Sequence, residues 1–204
     1  MQENKNHWYD GKFYDKLIAP NLDVTFIQMM RMIEPESKVI DIGCATGRFV
    51  FKLSERVSKA VGVDLSQRNI KLANRIKQQK STDNVYFVHA NALKLSELFD
   101  EKFDYATISY VLHEMDKSIR VDVLKGMKTI ANQIIIADYF IPQPKNLRGL
   151  LNRTAELLAG KDHFSNFITF KNNGGLNPLL DDTGLNVIEK KSDSTLTSYI
   201  VRVK

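Results

Sequence analysis

The chain has 204 residues, 43% hydrophobic and 26% charged, a length and composition that fit one globular domain with a sizeable core. No run approaches the roughly 18 apolar residues of a membrane span, and the start MQENKNHWYD carries no hydrophobic signal segment, so the expectation is a cytoplasmic protein without membrane contact. A single cysteine, Cys44, excludes an internal disulfide and leaves no CxxC pair for zinc, so no metal is expected.

In chain order, residues 8–34 carry the aromatics Trp8, Tyr9, Phe13, Tyr14 and Phe26 and read as a helical cap packed on a sheet. Short β-branched runs follow at 38–42, 59–64, 85–90, 103–109 and 133–140, alternating with helical periodicity at 48–57, 67–80 and 116–130. Apolar strands separated by helices predict right-handed βαβ units around a mostly parallel sheet, the α/β class. Much of the formal charge of +5 falls in RNIKLANRIKQQK, Arg68 to Lys80. There Ile70, Ala73 and Ile76 recur at helical spacing and no aromatic interleaves the charges, which reads as a solvated helix face rather than a nucleic-acid patch.

After IPQP, 141–144, the rhythm changes: NLRGLLNRTAELLAG and HFSNFITF read as inserted helices, and NNGGLNPLLDDTGL as turn, helix and turn. NVIEKKSD and TSYIVRVK read as two strands with a tight connection, an antiparallel pair at one edge. The organisation expected is one domain: a cap over 1–35, a ligand-binding core over 36–140, a helical insertion over 141–183 and edge strands over 184–204.

The chemistry concentrates in VIDIGCATGRF, residues 39–49, a strand that runs into a glycine loop and a helix. A dinucleotide fingerprint would want glycine at 43, 45 and 48, where this chain has Gly43, Ala45 and Arg48, and no G-x-x-x-x-G-K-[ST] run exists. That points to a ligand without a phosphate to cradle: a nucleoside joined to a short charged tail. Asp64 closes the second strand 21 residues after Gly43, where such a sheet places a carboxylate beside a ribose diol. Asn91 follows the third strand with an amide able to read an adenine edge, and Ala92 leaves room for the ring.

VIDIGCATG, Asp64, the turn ANA and FDYATISYVLHEM together resemble the class I S-adenosylmethionine-dependent methyltransferases, over roughly residues 36–140, with a weaker echo in GGLNPLLDDTGL. The resemblance implies a Rossmann-like sheet of seven strands, the last reversed, with helices on both faces. It implies S-adenosylmethionine as cofactor, held by Asp41, Gly43, Ala45, Gly47, Asp64, Leu65, Asn91, Ala92, Ser109 and Tyr110. Asp41 is placed near the methionyl amino group, with bonding to loop amides as its other reading. Ala45 stands where the family's middle glycine usually is, and Asn91 where an aspartate is common.

His113, after the fourth strand, is the expected base and substrate contact; Glu114 beside it reads equally as a helix cap. Cys44 reads as a small buried filler, and His163, Phe164, Phe167 and Phe170 as core of the insertion. Tyr9 and Tyr14 are the expected acceptor-pocket residues. No [DN]-P-P-[YF] run follows the fourth strand and no cysteine sits there, so elimination favours a small-molecule O-, N- or C-acceptor over nucleic acid, with no membrane as partner. RNA methylation and a non-catalytic S-adenosylmethionine-binding protein are the alternatives; an NAD-dependent oxidoreductase is disfavoured by Arg48.

Overall fold

The structure, a computed structural model, describes residues 5–6, 22–142, 160–192 and 198–204. Seven strands, β1 (Lys38–Ile42), β2 (Lys59–Asp64), β3 (Val85–His89), β4 (Phe103–Ser109), β5 (Ala131–Tyr139), β6 (Val187–Ser192) and β7 (Ser198–Val203), form one sheet in the order β3-β2-β1-β4-β5-β7-β6. β1 to β5 pair in parallel, and β7 runs antiparallel to both β5 and β6. The strand order reverses between β1 and β4, and at such a point the loops of an open α/β sheet diverge and leave a crevice at the carboxyl ends.

Alternation along the strands divides the core. Ile40 and Ile42 of β1 and Ala106 and Ile108 of β4 point to one face, which is closed by α5 (Lys117–Ile130) through Leu124 and Met127. Phe170 of α6 (Lys161–Asn172) and Leu180 of α7 (Leu176–Thr183) complete that layer. Val39 and Tyr105 point to the other face, under Phe49 and Val50 of α2 (Arg48–Leu53), Phe26 of α1 (Asp23–Met30) and Ile70 of α3 (Gln67–Lys80). Phe26 stacks on Phe49 with centroids 4.8 Å apart, and the Arg48 guanidinium donates two 2.8 Å bonds to the Asp23 carboxylate, so α1 is clamped to α2 by an apolar and an ionic contact. A fourth short helix, α4 (Leu95–Leu98), follows β3 and packs against α5 through buried Leu95.

Most elements fall within two residues of where the sequence places them. α2 stops at Leu53 rather than 57, because the Asn84 amide, brought alongside by the β2–β3 pairing, donates to the Ser54 and Val57 carbonyls and holds the chain in a turn. β5 starts at Ala131, directly after α5, where Ala131 pairs with Phe103. β3 ends at His89, one residue before the expected end. Trp8, Tyr9, Phe13 and Tyr14, and NLRGLLNRTAELLA of the insertion, lie outside the described residues.

Candidate functional site

A cavity of about 600 Å³ opens at the carboxyl ends of β1, β2, β3 and β4. Of the expected site residues, Gly43, Ala45, Asp64, Leu65, Asn91, Ala92, Ser109 and Tyr110 line it; Asp41, Gly47 and His113 do not, and Tyr9 and Tyr14 lie outside the described residues. Four segments far apart in sequence are brought together because parallel strands end at the same edge of the sheet.

The loop after β1 is fixed from below. The N–H groups of Gly43 and Cys44 both donate to the Val63 carbonyl, at 2.8 and 3.0 Å, and Gly43 turns at φ +74°. A Cβ on Gly43 would stand 2.4 Å from Val111 Cγ2, so only glycine fits beneath the segment that follows β4. Ala45 holds φ +48°, a left-handed conformation unusual for alanine, and in that position its N–H donates to Asp64 Oδ2 at 2.8 Å. Gly47, at φ +82°, precedes the first turn of α2, and there a side chain would strike the Phe87 ring at 2.4 Å. Its glycine serves packing behind the loop.

Asp64 is held from two sides, since Ser66 N–H donates to Oδ1 at 2.7 Å while Ala45 N–H takes Oδ2. Two backbone donors orient the carboxylate at the cavity wall. Ser66 also starts α3, its hydroxyl accepting from Asn69 N–H at 3.2 Å. Asn91 Oδ1 accepts from Leu93 N–H at 2.9 Å and caps the short turn Ala92–Lys94.

Asp41 lies one layer behind the cavity on β1, 3% exposed, where the Thr107 hydroxyl of β4 donates to its Oδ1 at 2.7 Å. Burial pushes its pKa up to about 7, against the smaller opposing effect of the Thr107 hydrogen bond. The Cys44 thiol is raised well above its ordinary range, chiefly by burial and then by the charges of Asp64 and Asp41.

On the other side, Tyr110 turns at φ +57°, its N–H donating to the Ala137 carbonyl at 2.8 Å, and its hydroxyl bonds both Thr25, at 2.9 Å, and Ser198. A strained backbone residue at the cavity rim is thereby tied to α1 and β7. His113 sits in the turn Leu112–Glu114, 1% exposed, with Nδ1 2.6 Å from Oδ1 of an equally buried Asp138 and its ring 4.6 Å from that of Tyr139. The next residue, Glu114, reaches the cavity.

Sequence reasoning did not pick out Lys5, Ser66, Asn69, Met115 or Asp116, nor Asp162, Ser165 and Asn166 of α6, all of which line the cavity. Ser66 and Asn69 follow Asp64 at the start of a helix, a signal present in the sequence; Lys5 and α6 arrive from opposite ends of the chain. Lys5 N–H donates to the Leu65 carbonyl at 3.2 Å, and Asn6 Oδ1 accepts from the Ser66 hydroxyl at 3.0 Å. Among the described residues no group of three His, Cys, Asp or Glu side chains is placed to hold a metal, and no helix is long and apolar enough to cross a membrane.

The sequence matches the family described as a methyltransferase domain over residues 33–170. Demethylmenaquinone methyltransferases are among its relatives: that of Oceanobacillus iheyensis is 28% identical over 126 residues, covering 56% of this chain and 52% of the relative. That of Bacillus cereus is 29% identical over 145 residues, 64% of this chain and 60% of the relative. The chain thus spans little more than half the length of these two relatives. The PH0226 protein from Pyrococcus horikoshii shares the fold with a TM-score of 0.70 at 20% identity, covering 97% of this chain and 93% of its own. The N-methyltransferase NodS from Bradyrhizobium japonicum, crystallised with S-adenosyl-L-homocysteine, does so with a TM-score of 0.63 at 15% identity, covering 95% and 91%.

Proposed function

We propose that this chain, which belongs to the methyltransferase domain family, binds S-adenosylmethionine in the cavity at the ends of β1 to β4 and transfers its methyl group to a small-molecule acceptor. The observation that carries the reading is Asp64. Its carboxylate is held at the cavity wall by the N–H groups of Ala45 and Ser66, beside the glycine loop, at the strand end where an α/β sheet places an acid that can meet a ribose.

The residues present fit the cofactor. The cavity is within the usual size range of small-ligand pockets. Asp64 accepts from the two ribose hydroxyls, and Asn91 with Ala92 frames the adenine. The turn at Gly43 lets the methionyl tail pass close to the backbone, with Tyr110 walling the side towards the acceptor. When bound, the sulfonium supplies an already activated methyl, so the protein's part is to align donor and acceptor and exclude water. Demethylmenaquinone methyltransferases among the relatives support a small-molecule acceptor.

A thermal-shift titration with S-adenosylmethionine, S-adenosylhomocysteine and NAD, on the wild type and on Asp64→Ala, tests the reading. A ligand at a hundred times its dissociation constant adds about 2.7 kcal/mol, or roughly 5–10 °C for a chain of this size. Stabilisation by the two sulfur ligands, lost in Asp64→Ala and absent with NAD, is the expected result. No shift with either sulfur ligand in the ligand-free wild type would overturn it.

A further inference from the structure

Asp64 is followed by a turn, Leu65 and Ser66, and then by α3, and the N-terminal residues Lys5 and Asn6 are bonded across it. The Lys5 N–H donates to the Leu65 carbonyl at 3.2 Å, and His89, at the end of β3, donates from Nε2 to the same oxygen at 2.9 Å. Asn6 Oδ1 accepts from the Ser66 hydroxyl at 3.0 Å and from the N–H of Arg68, in the first turn of α3, at 3.3 Å. Two adjacent residues thus bond three of the four positions that follow Asp64. Lys5, Asp64, Leu65, Ser66 and Asn69 all line the cavity.

The bonds converge on Ser66, which is buried. Its N–H donates to Asp64 Oδ1 at 2.7 Å, and its Oγ accepts from Asn69 N–H at 3.2 Å as the N-cap of α3. A hydroxyl has one proton, and with Asn6 Oδ1 accepting it a lone pair is left for the Asn69 N–H. Ser66 is thereby held in the extended backbone of an N-cap, φ −85° and ψ 109°, which aims its own N–H at Asp64. The first N–H groups of a helix have no acceptor within it, and here one of them is met by a side chain 62 residues upstream. The geometry of the ribose-side carboxylate is therefore tied, through Ser66, to Asn6.

We infer that Asn6 is a positioning residue for the cofactor, and that Lys5 and Asn6 form a strap whose docking on the turn after Asp64 is coupled to cofactor binding. This rests on the cavity holding S-adenosylmethionine with its ribose at Asp64. With the strap docked, the cofactor meets a carboxylate already held in one orientation. With the strap off, the competent arrangement of the turn is only part of the population, and the apparent affinity falls by that fraction. The coupling is one free energy shared by two events, so the cofactor holds the strap down by the same factor by which the strap tightens the cofactor.

Both sides of the coupling can be measured without knowledge of the acceptor. Affinity for S-adenosylhomocysteine is measured by calorimetry for the wild type, Asn6→Ala and Asn6→Asp. Docking is read by trypsin, which cleaves after lysine: a Lys5 backbone bonded to Leu65 is not available to the protease. Cleavage of the Lys5–Asn6 bond by dilute trypsin is followed by mass spectrometry with and without saturating S-adenosylhomocysteine, so that its rate tracks the undocked population. Asn6→Ala should weaken S-adenosylhomocysteine about fivefold, the worth of one helix cap, and Asn6→Asp, which keeps the acceptor oxygen, should stay within about twofold of the wild type. The ligand should slow cleavage at Lys5 by a matching factor of about five in the wild type and in Asn6→Asp, and by less than about twofold in Asn6→Ala. A merely stabilising Asn6 would lower the melting temperature and leave the protection by ligand untouched in Asn6→Ala. If Asn6→Ala binds S-adenosylhomocysteine as tightly as the wild type, or if the saturating ligand leaves cleavage at Lys5 of the wild type unchanged, the coupling falls while the cofactor site stands. If the wild type does not bind S-adenosylhomocysteine, the cofactor reading fails and the strap with it.

Discussion

Replacing Asp41 by asparagine removes a titration that the fold itself perturbs. The carboxyl is 3% exposed on β1, and burial raises its pKa from an ordinary 3.8 to about 7. The protonated form is therefore favoured in the folded chain, while the unfolded chain ionises near pH 4. Between those values the unfolded state binds fewer protons, so this residue's contribution to stability falls as pH rises from about 4 to about 7 and is constant above. Integrated over the two pKa values, it takes about 2.5 kcal/mol from stability between pH 5 and pH 8. The substituted asparagine would keep an oxygen to accept from the Thr107 hydroxyl, which stands at 2.7 Å in the wild type. Its NH₂ group replaces the carboxyl proton, and leaving that group unsatisfied adds a pH-independent penalty of about 1–3 kcal/mol. The melting temperature of Asp41→Asn relative to wild type should therefore climb by roughly 5–10 °C on going from pH 5 to pH 8, whatever the offset at pH 5. Parallel melting curves across that range would refute the reasoning, since they would mean that Asp41 ionises in the folded state as easily as in the unfolded one.

Gly43→Ala should destabilise the chain by about 2–4 kcal/mol in urea unfolding, combining a left-handed alanine with overpacking against Val111. Adding Val111→Ala should recover part of it, and a neutral Gly43→Ala would contradict the packing described for the loop. Cys44 is 5% exposed with its thiol shifted upward, so a thiol reagent at pH 8 should label it only through the urea unfolding transition. Rapid labelling of the folded chain would show that the loop opens.

The residues at strand ends were legible because a parallel sheet places the ends of β1, β2 and β3 side by side, so Gly43, Asp64 and Asn91 could be assigned to one edge from spacing alone. The chain just beyond a strand end is harder to read. The two-residue alternation of β4 stops at Ser109, and in the tight turn Leu112–Glu114 it is His113 that turns inward to Asp138 and Glu114 that reaches the cavity. The shortened α2 depends on the Asn84 amide from beyond the next helix, a contact no local periodicity encodes. Lys5 and the lining residues of α6 were equally hidden, since only the folded chain brings residues 5 and 166 to the same cavity. Asp41 and Gly47 lie behind the loop rather than on the cavity wall, because the strand alternation and the φ of +82° that make them necessary serve the sheet and the Phe87 contact.

The most direct measurement is a crystal structure of the protein with S-adenosylhomocysteine. The predicted result is the nucleoside in the cavity at the ends of β1 to β4, with both ribose hydroxyls at about 2.6–3.0 Å from the Asp64 carboxylate and the homocysteine tail over Gly43. Adenosylhomocysteine bound elsewhere, or in the cavity with its ribose away from Asp64, would contradict it.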